Sequence, residues 1–390
     1  AGGCVAIGAR AAAWAPRPAL GAVVVLDEHD EGYQEERAPT WHARDVAVER
    51  ARRAGVPCVL TSPCPSLEAL STTELLTPAR ADERTGWPAV EVVDRRDEAP
   101  GSGLYSSRLV AVLRRAEAGE RVVCVLNRKG RSRLLACGAC GDLARCERCD
   151  GAVSLDDGEA AGVAELQCRR CGAARPPVCL TCSGTRFKTL RVGVTRVREE
   201  LELLAGRPVA EVTAETDRGR PPPDAPVLVG TEAVLHRVVG ARVVAFLDLD
   251  QELLASRYRA AEAALALLAR AARVVGGRSG GGRLLLQTRM PSSEVIDAAV
   301  HADPGRLAVV ESARRAALRL PPEVAMALVS GEAAADYAAA LAGTADLEVL
   351  GPSAGRWLVR AADHRILCDT LASTPRPAGR LRVEVDPLRA

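Results

Sequence analysis

Eight of the thirteen cysteines of this 390-residue chain fall within forty-six residues, as four Cys-x-x-Cys pairs: Cys137/Cys140, Cys146/Cys149, Cys168/Cys171 and Cys179/Cys182. Two intervening residues let both sulfurs reach one tetrahedral ion from a tight turn, and four pairs supply the ligands of two closed Cys4 zinc sites. A closed site leaves no coordination position for water, so the expected role is folding rather than catalysis. The gaps between successive pairs are five, eighteen and seven residues, which leaves sequential, interleaved and nested pairing all open. Each ion in such a ribbon stabilises the fold by roughly 10–16 kcal/mol, more than a loop-rich segment of this size draws from its own core.

Disulfides are the competing use of so many cysteines. No signal peptide is visible, and no apolar run approaches the ~20 residues of a membrane span. The expectation is a reducing, cytoplasmic setting with no membrane partner. The other five cysteines, Cys4, Cys58, Cys64, Cys124 and Cys368, read as small core residues, as in Val122-Val-Cys-Val-Leu126. The formal charge is +2. Eight thiolates and two divalent ions would bring it to about −2, so net charge does not argue for nucleic acid. A DNA-binding case therefore rests on local clusters such as Arg128-Lys-Gly-Arg-Ser-Arg133, which a solvated loop explains equally well. Arg145, Arg148, Arg169, Arg170 and Lys188 are further candidates, but acidic residues interleave them. Aromatic residues are only 3%, which limits base stacking and leaves the cores to Val, Leu and Ala. The chain begins at Ala1 and enters apolar sequence almost at once, as expected of a fragment with residues missing upstream.

Short apolar strands alternate with helical patterns over most of the length, which argues for a parallel α/β sheet. Residues 22–26 read as a buried strand, 27–30 as a polar turn, 44–54 as a helix and 56–60 as a second strand. Residues 71–105 read as a connection. A second α/β unit starts with a helix at 107–118 and a strand at 121–126. It resumes after the cysteine ribbon with a helix at 195–205, strands at 227–229 and 243–247, a helix at 258–273 and a strand at 284–287. Residues 218–223 read as a Pro-rich loop. From about 291 a helical stretch runs to Leu320, where Pro321-Pro322 breaks it. Strands near 325–329, 347–350, 356–360 and 381–385 and a helix near 332–342 then make a small α+β domain.

The cysteine run 137–184, preceded by Leu126-Asn-Arg-Lys-Gly130, resembles the zinc-bearing insert of the PriA family (primosomal protein N′), which restarts stalled replication forks. Tyr33 through Arg50 and Pro65-Ser-Leu-Glu68 resemble the end of that family's first helicase lobe. Gly230-Thr231, Tyr258-Arg-Ala-Ala-Glu262, Gln287-Thr288, Pro321-Pro322, Gly351-Pro352 and Val385-Asp-Pro387 follow in the family's order. The resemblance implies nested pairing, with Cys137, Cys140, Cys179 and Cys182 on one zinc and Cys146, Cys149, Cys168 and Cys171 on the other. It also implies a fold: two RecA-like helicase lobes, the first partial, with an inserted double Cys4 module and a C-terminal α+β domain. The expected boundaries are 1–95 for the end of lobe 1, 96–133 for the start of lobe 2, 134–190 for the insert, 191–290 for the rest of lobe 2 and 291–390 for the last domain.

Several parts of the family's ATPase machinery are altered. No Gly-x-x-x-x-Gly-Lys-Ser/Thr is present. Aligned on Tyr33, the acidic motif becomes Leu26-Asp-Glu-His-Asp30, with Leu where the family holds Mg²⁺; a one-residue gap would restore Asp27 to that place. The next motif reads Thr61-Ser-Pro-Cys-Pro-Ser66, and another Gly230-Thr-Glu-Ala with His236-Arg237 in place of Lys-Gly. In gap-free register the two arginine-finger positions are Val274 and Gly277, with Arg273 and Arg278 beside them. Losing one such finger costs ~10³–10⁵ in rate. Glu28 and His29 read as a polar loop or as relics of a catalytic turn. His42 with Arg44-Asp45 resembles a family motif but reads as well as a helix cap with an ion pair, and His236 reads as a surface or interlobe residue.

The expectation is therefore a helicase-like replication restart protein. It carries two Zn²⁺, has no catalytic residue and no assigned nucleotide site, and its use of ATP and Mg²⁺ is doubtful. Its expected partners are forked or single-stranded DNA and the primosome proteins that load the replicative helicase. An active ATP-dependent 3′–5′ DNA helicase and a zinc-ribbon interaction scaffold are the alternatives.

Overall fold

The computed structural model describes residues 4–17, 19–96, 98, 103–117, 119–127, 135–156, 164–168, 171–189, 194–212 and 223–388. The Arg128–Arg133 cluster, Arg169, Arg170 and most of the Pro-rich loop lie outside them. The chain divides into two compact units, one made of 77–307 and the other of 1–76 together with 308–390.

The larger unit is built on a parallel sheet with six strands among the described residues. Their order is Val209–Val212, Val227–Gly230, Val122–Val125, Val243–Phe246, Arg283–Thr288 and Ala89–Asp94. Every neighbouring pair is parallel. The central strands are apolar at each position because helices cover both faces. On one face Val122, Cys124, Val227, Val229, Val243 and Ala245 pack against Leu109, Val112 and Leu113 of helix Ser107–Arg115 and Val197 and Leu201 of helix Val194–Ala205. The alternate side chains of the strands point the other way. There helix Ala260–Val275 lies on Val243–Phe246 and Arg283–Thr288.

Two segments differ from the sequence reading. Residues 71–105 are more than a connection, because they contain helix Arg80–Gly86 and the edge strand Ala89–Asp94 of this sheet. Two of its six residues (Glu91, Asp94) are polar, and its fitness as an edge depends on tertiary pairing rather than on local pattern. Val209–Val212, too short to stand out in the sequence, is the opposite edge.

In the smaller unit, Val23–Leu26 pairs in parallel with Cys58–Thr61, and helix Ala43–Ala54 packs against them. Val25 is buried, but Val24 and Leu26 are exposed, so this is a half-buried strand and not the buried one expected. A two-stranded pair with its helix on one side leaves alternate side chains uncovered. The C-terminal region is an antiparallel sheet ordered Leu347–Ser353, Arg356–Ala361, Ala325–Ser330 and Arg382–Val385. Helices Ala334–Ala342 and His364–Ser373 cover one face, with Tyr337, Leu341, Leu367 and Leu371 in the core. The Tyr337 hydroxyl is satisfied by the Leu371 carbonyl at 2.6 Å. The second helix was not evident from the sequence. Thr40 ties the N-terminal segment to this sheet: its Oγ1 accepts from Val385 N at 2.8 Å and donates to Val385 O at 3.2 Å.

Candidate metal centre

Each Cys-x-x-Cys pair folds into the same turn. The first cysteine's carbonyl accepts the N–H four residues on, from Gly141, Asp150, Gly172 and Ser183 respectively, at 2.9–3.0 Å. Its own N–H donates to the carbonyl five residues on, from Asp142, Gly151, Ala173 and Gly184, at 2.8–2.9 Å. The residue after the second cysteine takes positive φ in all four: 75° at Gly141, 56° at Asp150, 73° at Gly172 and 60° at Ser183. The left-handed residue turns the chain back so that both sulfurs face the same point.

Two antiparallel ladders decide which turns meet. Leu135–Cys137 pairs with Phe187–Thr189, with Phe187 opposite Cys137, and this closes the first turn on the fourth. Val153–Asp156 pairs with Glu165–Cys168, with Val153 opposite Cys168, and this closes the second turn on the third. An inner hairpin inside an outer ladder gives nested cages. One gathers Cys137, Cys140, Cys179 and Cys182, and the other Cys146, Cys149, Cys168 and Cys171, with the sulfurs of each cage within 4.8 Å of one another. Of the three arrangements open from spacing, the thiols take the nested one.

The sulfur geometry suits a metal. Cys137–Cys182 and Cys146–Cys171 stand at 3.5 Å, and Cys140–Cys179 and Cys149–Cys168 at 3.6 Å. A tetrahedron with metal–sulfur bonds near 2.3 Å has edges of about 3.8 Å, whereas a disulfide would need about 2.0 Å. All thirteen cysteines are unbridged. Backbone N–H groups point at the sulfurs, from Ala139 to Cys137 Sγ and from Arg148 to Cys146 Sγ, both at 3.4 Å. Such donors favour the thiolate that a metal requires. Two groups of four thiols can thus each hold a metal ion.

Within each cage the thiols cannot ionise together. Burial raises Cys137, but the Cys140 and Ala139 amides and the neighbouring thiols outweigh it and bring that thiol to about 7. The Ala173 amide, opposed by burial and aided by the other sulfurs, brings Cys171 to about 7. Burial and the crowding of sulfurs hold Cys140 and Cys149 up at about 12. A divalent cation removes that conflict, and binding releases the protons that crowding retains.

The cages differ in setting. Cys146 and Cys168 sit in a small core with Leu135, Ala144, Val153 and Leu166. In the other cage Cys182 is exposed, and a side chain at Gly184 would meet Cys137 Sγ at 3.2 Å and Cys182 Sγ at 3.3 Å.

The remaining sequence candidates scatter. Arg145 pairs with Asp150 at 3.0 Å, while Arg148 and Lys188 are exposed. His42 Nδ1 accepts the Arg44 N–H, and Arg44 Nε meets Asp45 at 2.9 Å, so this stretch is a helix cap with its ion pair. His236 is exposed and bonded to Arg270. Cys64 and Cys124 are buried and Cys58 half-buried, but Cys4 and Cys368 are exposed and are not core residues.

Glu28 lies in a turn after strand Val23–Leu26, as expected, but its side chain is buried: its Oε1 accepts from Ser66 N at 2.7 Å, and its Oε2 from Ser66 Oγ at 2.7 Å and Arg44 NH1 at 3.3 Å. A one-dimensional reading had no means of placing a serine thirty-eight positions away against it. The carboxyl edge of the parallel sheet also carries a buried acidic group that the sequence reading missed. Asp250 accepts from Thr288 Oγ1 and from Arg289 N at 2.9 Å. Burial and Asp248 push its pKa to about 7.

No protein-family model matches the chain. Among curated proteins it is similar to the replication restart protein PriA of Bacillus subtilis (strain 168), 29% identical over 384 residues, covering 89% of this chain and 47% of that protein. The protein of the same name from Treponema pallidum (strain Nichols) is 33% identical over 341 residues, covering 82% of this chain and 51% of the relative. That of Synechocystis sp. (strain PCC 6803) is 29% identical over 347 residues, covering 82% of this chain and 42% of its own. The chain spans about half the length of the curated relatives it matches. Among the described residues, no helix is long and apolar enough to cross a membrane.

Proposed function

This chain is a relative of the replication restart protein PriA, and from that premise we propose that it is part of a replication restart factor that holds two structural zinc ions, recognises forked or single-stranded DNA and helps reload the replicative helicase without unwinding DNA itself. The observation that carries the reading is the likeness over more than four fifths of the chain to proteins of that name. The two thiol cages support the metal assignment: four soft anionic sulfurs at tetrahedral spacing suit Zn²⁺, with Cys137, Cys140, Cys179 and Cys182 on one ion and Cys146, Cys149, Cys168 and Cys171 on the other. With no open position, each ion contributes folding energy and fixes the turns.

In this reading the unit of 77–307 carries the second of two RecA-like lobes, interrupted by the zinc module at 134–190. Residues 1–76 carry the end of the first lobe and 308–390 the C-terminal domain, so the boundaries expected at 95 and 291 move to about 76 and 307. The cytoplasm is its place of action.

Two features support the loss of ATP chemistry. The Glu28 carboxylate, which in an acting motor would polarise water, has its oxygens taken up by Ser66 and Arg44. At one arginine-finger position, a side chain on Gly277 would stand 2.6 Å from the Thr85 carbonyl oxygen, so an arginine there requires the backbone to move; at the other, Val274 is buried.

The test uses the full-length protein. Elemental analysis is expected to find two zinc ions per chain. Forked DNA should bind with an affinity that falls steeply with salt, and DNA should not stimulate ATP hydrolysis. Brisk ATP-fuelled strand separation would replace this reading with that of a working helicase. Absent or salt-insensitive fork binding would replace it with that of an interaction scaffold.

A further inference from the structure

The cage formed by Cys137, Cys140, Cys179 and Cys182 rests on the carboxyl edge of the parallel sheet, and among the described residues Arg289 makes a polar join. Arg289, one residue past strand Arg283–Thr288, donates from Nε to the carbonyl of Gly141 at 3.0 Å. Gly141 is the left-handed residue of the first cysteine turn, and its own N–H is held by Cys137 O at 3.0 Å. Asp142 follows, and it accepts from the hydroxyl of Thr181, which lies between Cys179 and Cys182. Both turns of this cage therefore converge on Gly141–Asp142. Leu143 then packs on Leu254 and Met290 of the sheet unit.

The other side of the join is equally constrained. The Arg289 N–H is held by both oxygens of Asp250, at 2.9 and 3.2 Å. Thr288 Oγ1 donates to Asp250 and accepts from Met290 N at 2.8 Å. Asp250 is buried beside Asp248, and the positive charges of Arg289 and Arg95 offset the pair. The position of the Arg289 guanidinium thus serves two purposes: it docks the cysteine turn and it balances buried acid.

We propose that metal in the Cys137/Cys140/Cys179/Cys182 cage orders the carboxyl edge of the sheet, with Arg289 as the coupling residue. The inference rests on the reading that this cage holds zinc. Without the ion, four crowded sulfurs have nothing to draw them together, the first turn relaxes, and the Gly141 carbonyl no longer faces Arg289. The guanidinium loses its acceptor, the acidic pair loses part of its counter-charge, and residues 248–254 and 288–290 loosen. Edges of this kind are where open parallel sheets bind ligands, so metal status reaches whatever that edge contacts. The Cys146/Cys149/Cys168/Cys171 cage reaches this edge through Ala152, which packs with Leu143, Leu254 and Met290, but has no polar contact like that of Gly141 with Arg289 among the described residues, and should act on the edge less.

Hydrogen–deuterium exchange on the whole chain tests this, with zinc content read on the same samples. Stripping zinc, or emptying the first cage with Cys182→Ser, should speed exchange at 248–254 and 288–290 by about tenfold or more while 122–125 stays protected. Arg289→Ala should give the fast edge with two zinc ions still bound. An edge indifferent to zinc, an Arg289→Ala variant that matches wild type, or Cys171→Ser loosening the edge as much as Cys182→Ser would each overturn the coupling. Those failures leave the metal reading standing. A purified chain without zinc overturns both.

Discussion

Arg315 and Glu68, 247 positions apart, meet in the smaller unit with Arg315 NH1 at 3.3 Å from Glu68 Oε1. Arg315 has no solvent exposure. Its Nε donates to Glu311 at 3.1 Å and its NH1 to the Pro321 carbonyl at 3.0 Å. A guanidinium is accepted there because carboxylates and a carbonyl face it from three elements. It ties the helix that starts at Leu67 to the last turn of helix Pro304–Leu318.

Replacing Arg315 with leucine should therefore remove the buried guanidinium that Glu311 and Glu68 share, although Glu311 keeps Arg314 at 2.7 Å. A loss of about 3–5 kcal/mol is expected for the unit of 1–76 and 308–390, measured by urea unfolding. A change under about 1 kcal/mol would mean that the network adds nothing beyond packing.

Gly184→Ala puts a methyl group within 3.2–3.3 Å of two sulfurs of one cage. Competition with a chromogenic chelator should show one of two zinc ions held roughly tenfold or more weakly, with the second unchanged. Equal weakening of both would contradict the separateness of the cages.

Metal removal should proceed in two phases. The cage with exposed Cys182 should empty first, and the one whose Cys146 and Cys168 lie in a small core should empty second. Because the module's apolar core is small, loss of the second ion should abolish its ordered structure, read as collapse of exchange protection over 135–189.

The Asp250 pKa is raised from 3.8 to about 7, so its contribution to stability has a definite sign. The folded state retains a proton that the unfolded chain releases. The contribution is full below about pH 4 and is lost as pH rises through 7. Relative to wild type, Asp250→Asn should gain roughly 1–3 kcal/mol between pH 5 and pH 8, followed by thermal or urea unfolding at each pH. A difference that is flat with pH would show that Asp250 stays ionised throughout.

Strand and helix positions such as Val122–Val125, Val243–Phe246 and Ala260–Val275 were legible in the sequence, because hydrophobic period is a local property. Ala89–Asp94 was not, since a strand interrupted by Glu91 and Asp94 at a sheet edge is defined by its neighbour, Arg283–Thr288. The burial of Glu28 was not legible for a related reason: nothing local to a polar turn shows that the chain brings Ser66 and Arg44 to its carboxylate.

The number of metal-ligating thiols, their grouping in twos and the turn each makes follow from neighbours along the chain, because Cys-x-x-Cys brings its own sulfurs together over four residues. Which turn joins which was decided by the two antiparallel ladders, and the docking of Gly141 on Arg289 by the packing of the module on the sheet. Spacing alone is degenerate among pairings. Only the hydrogen-bond register of strands distant in sequence breaks that degeneracy, and that register exists only once the chain has folded.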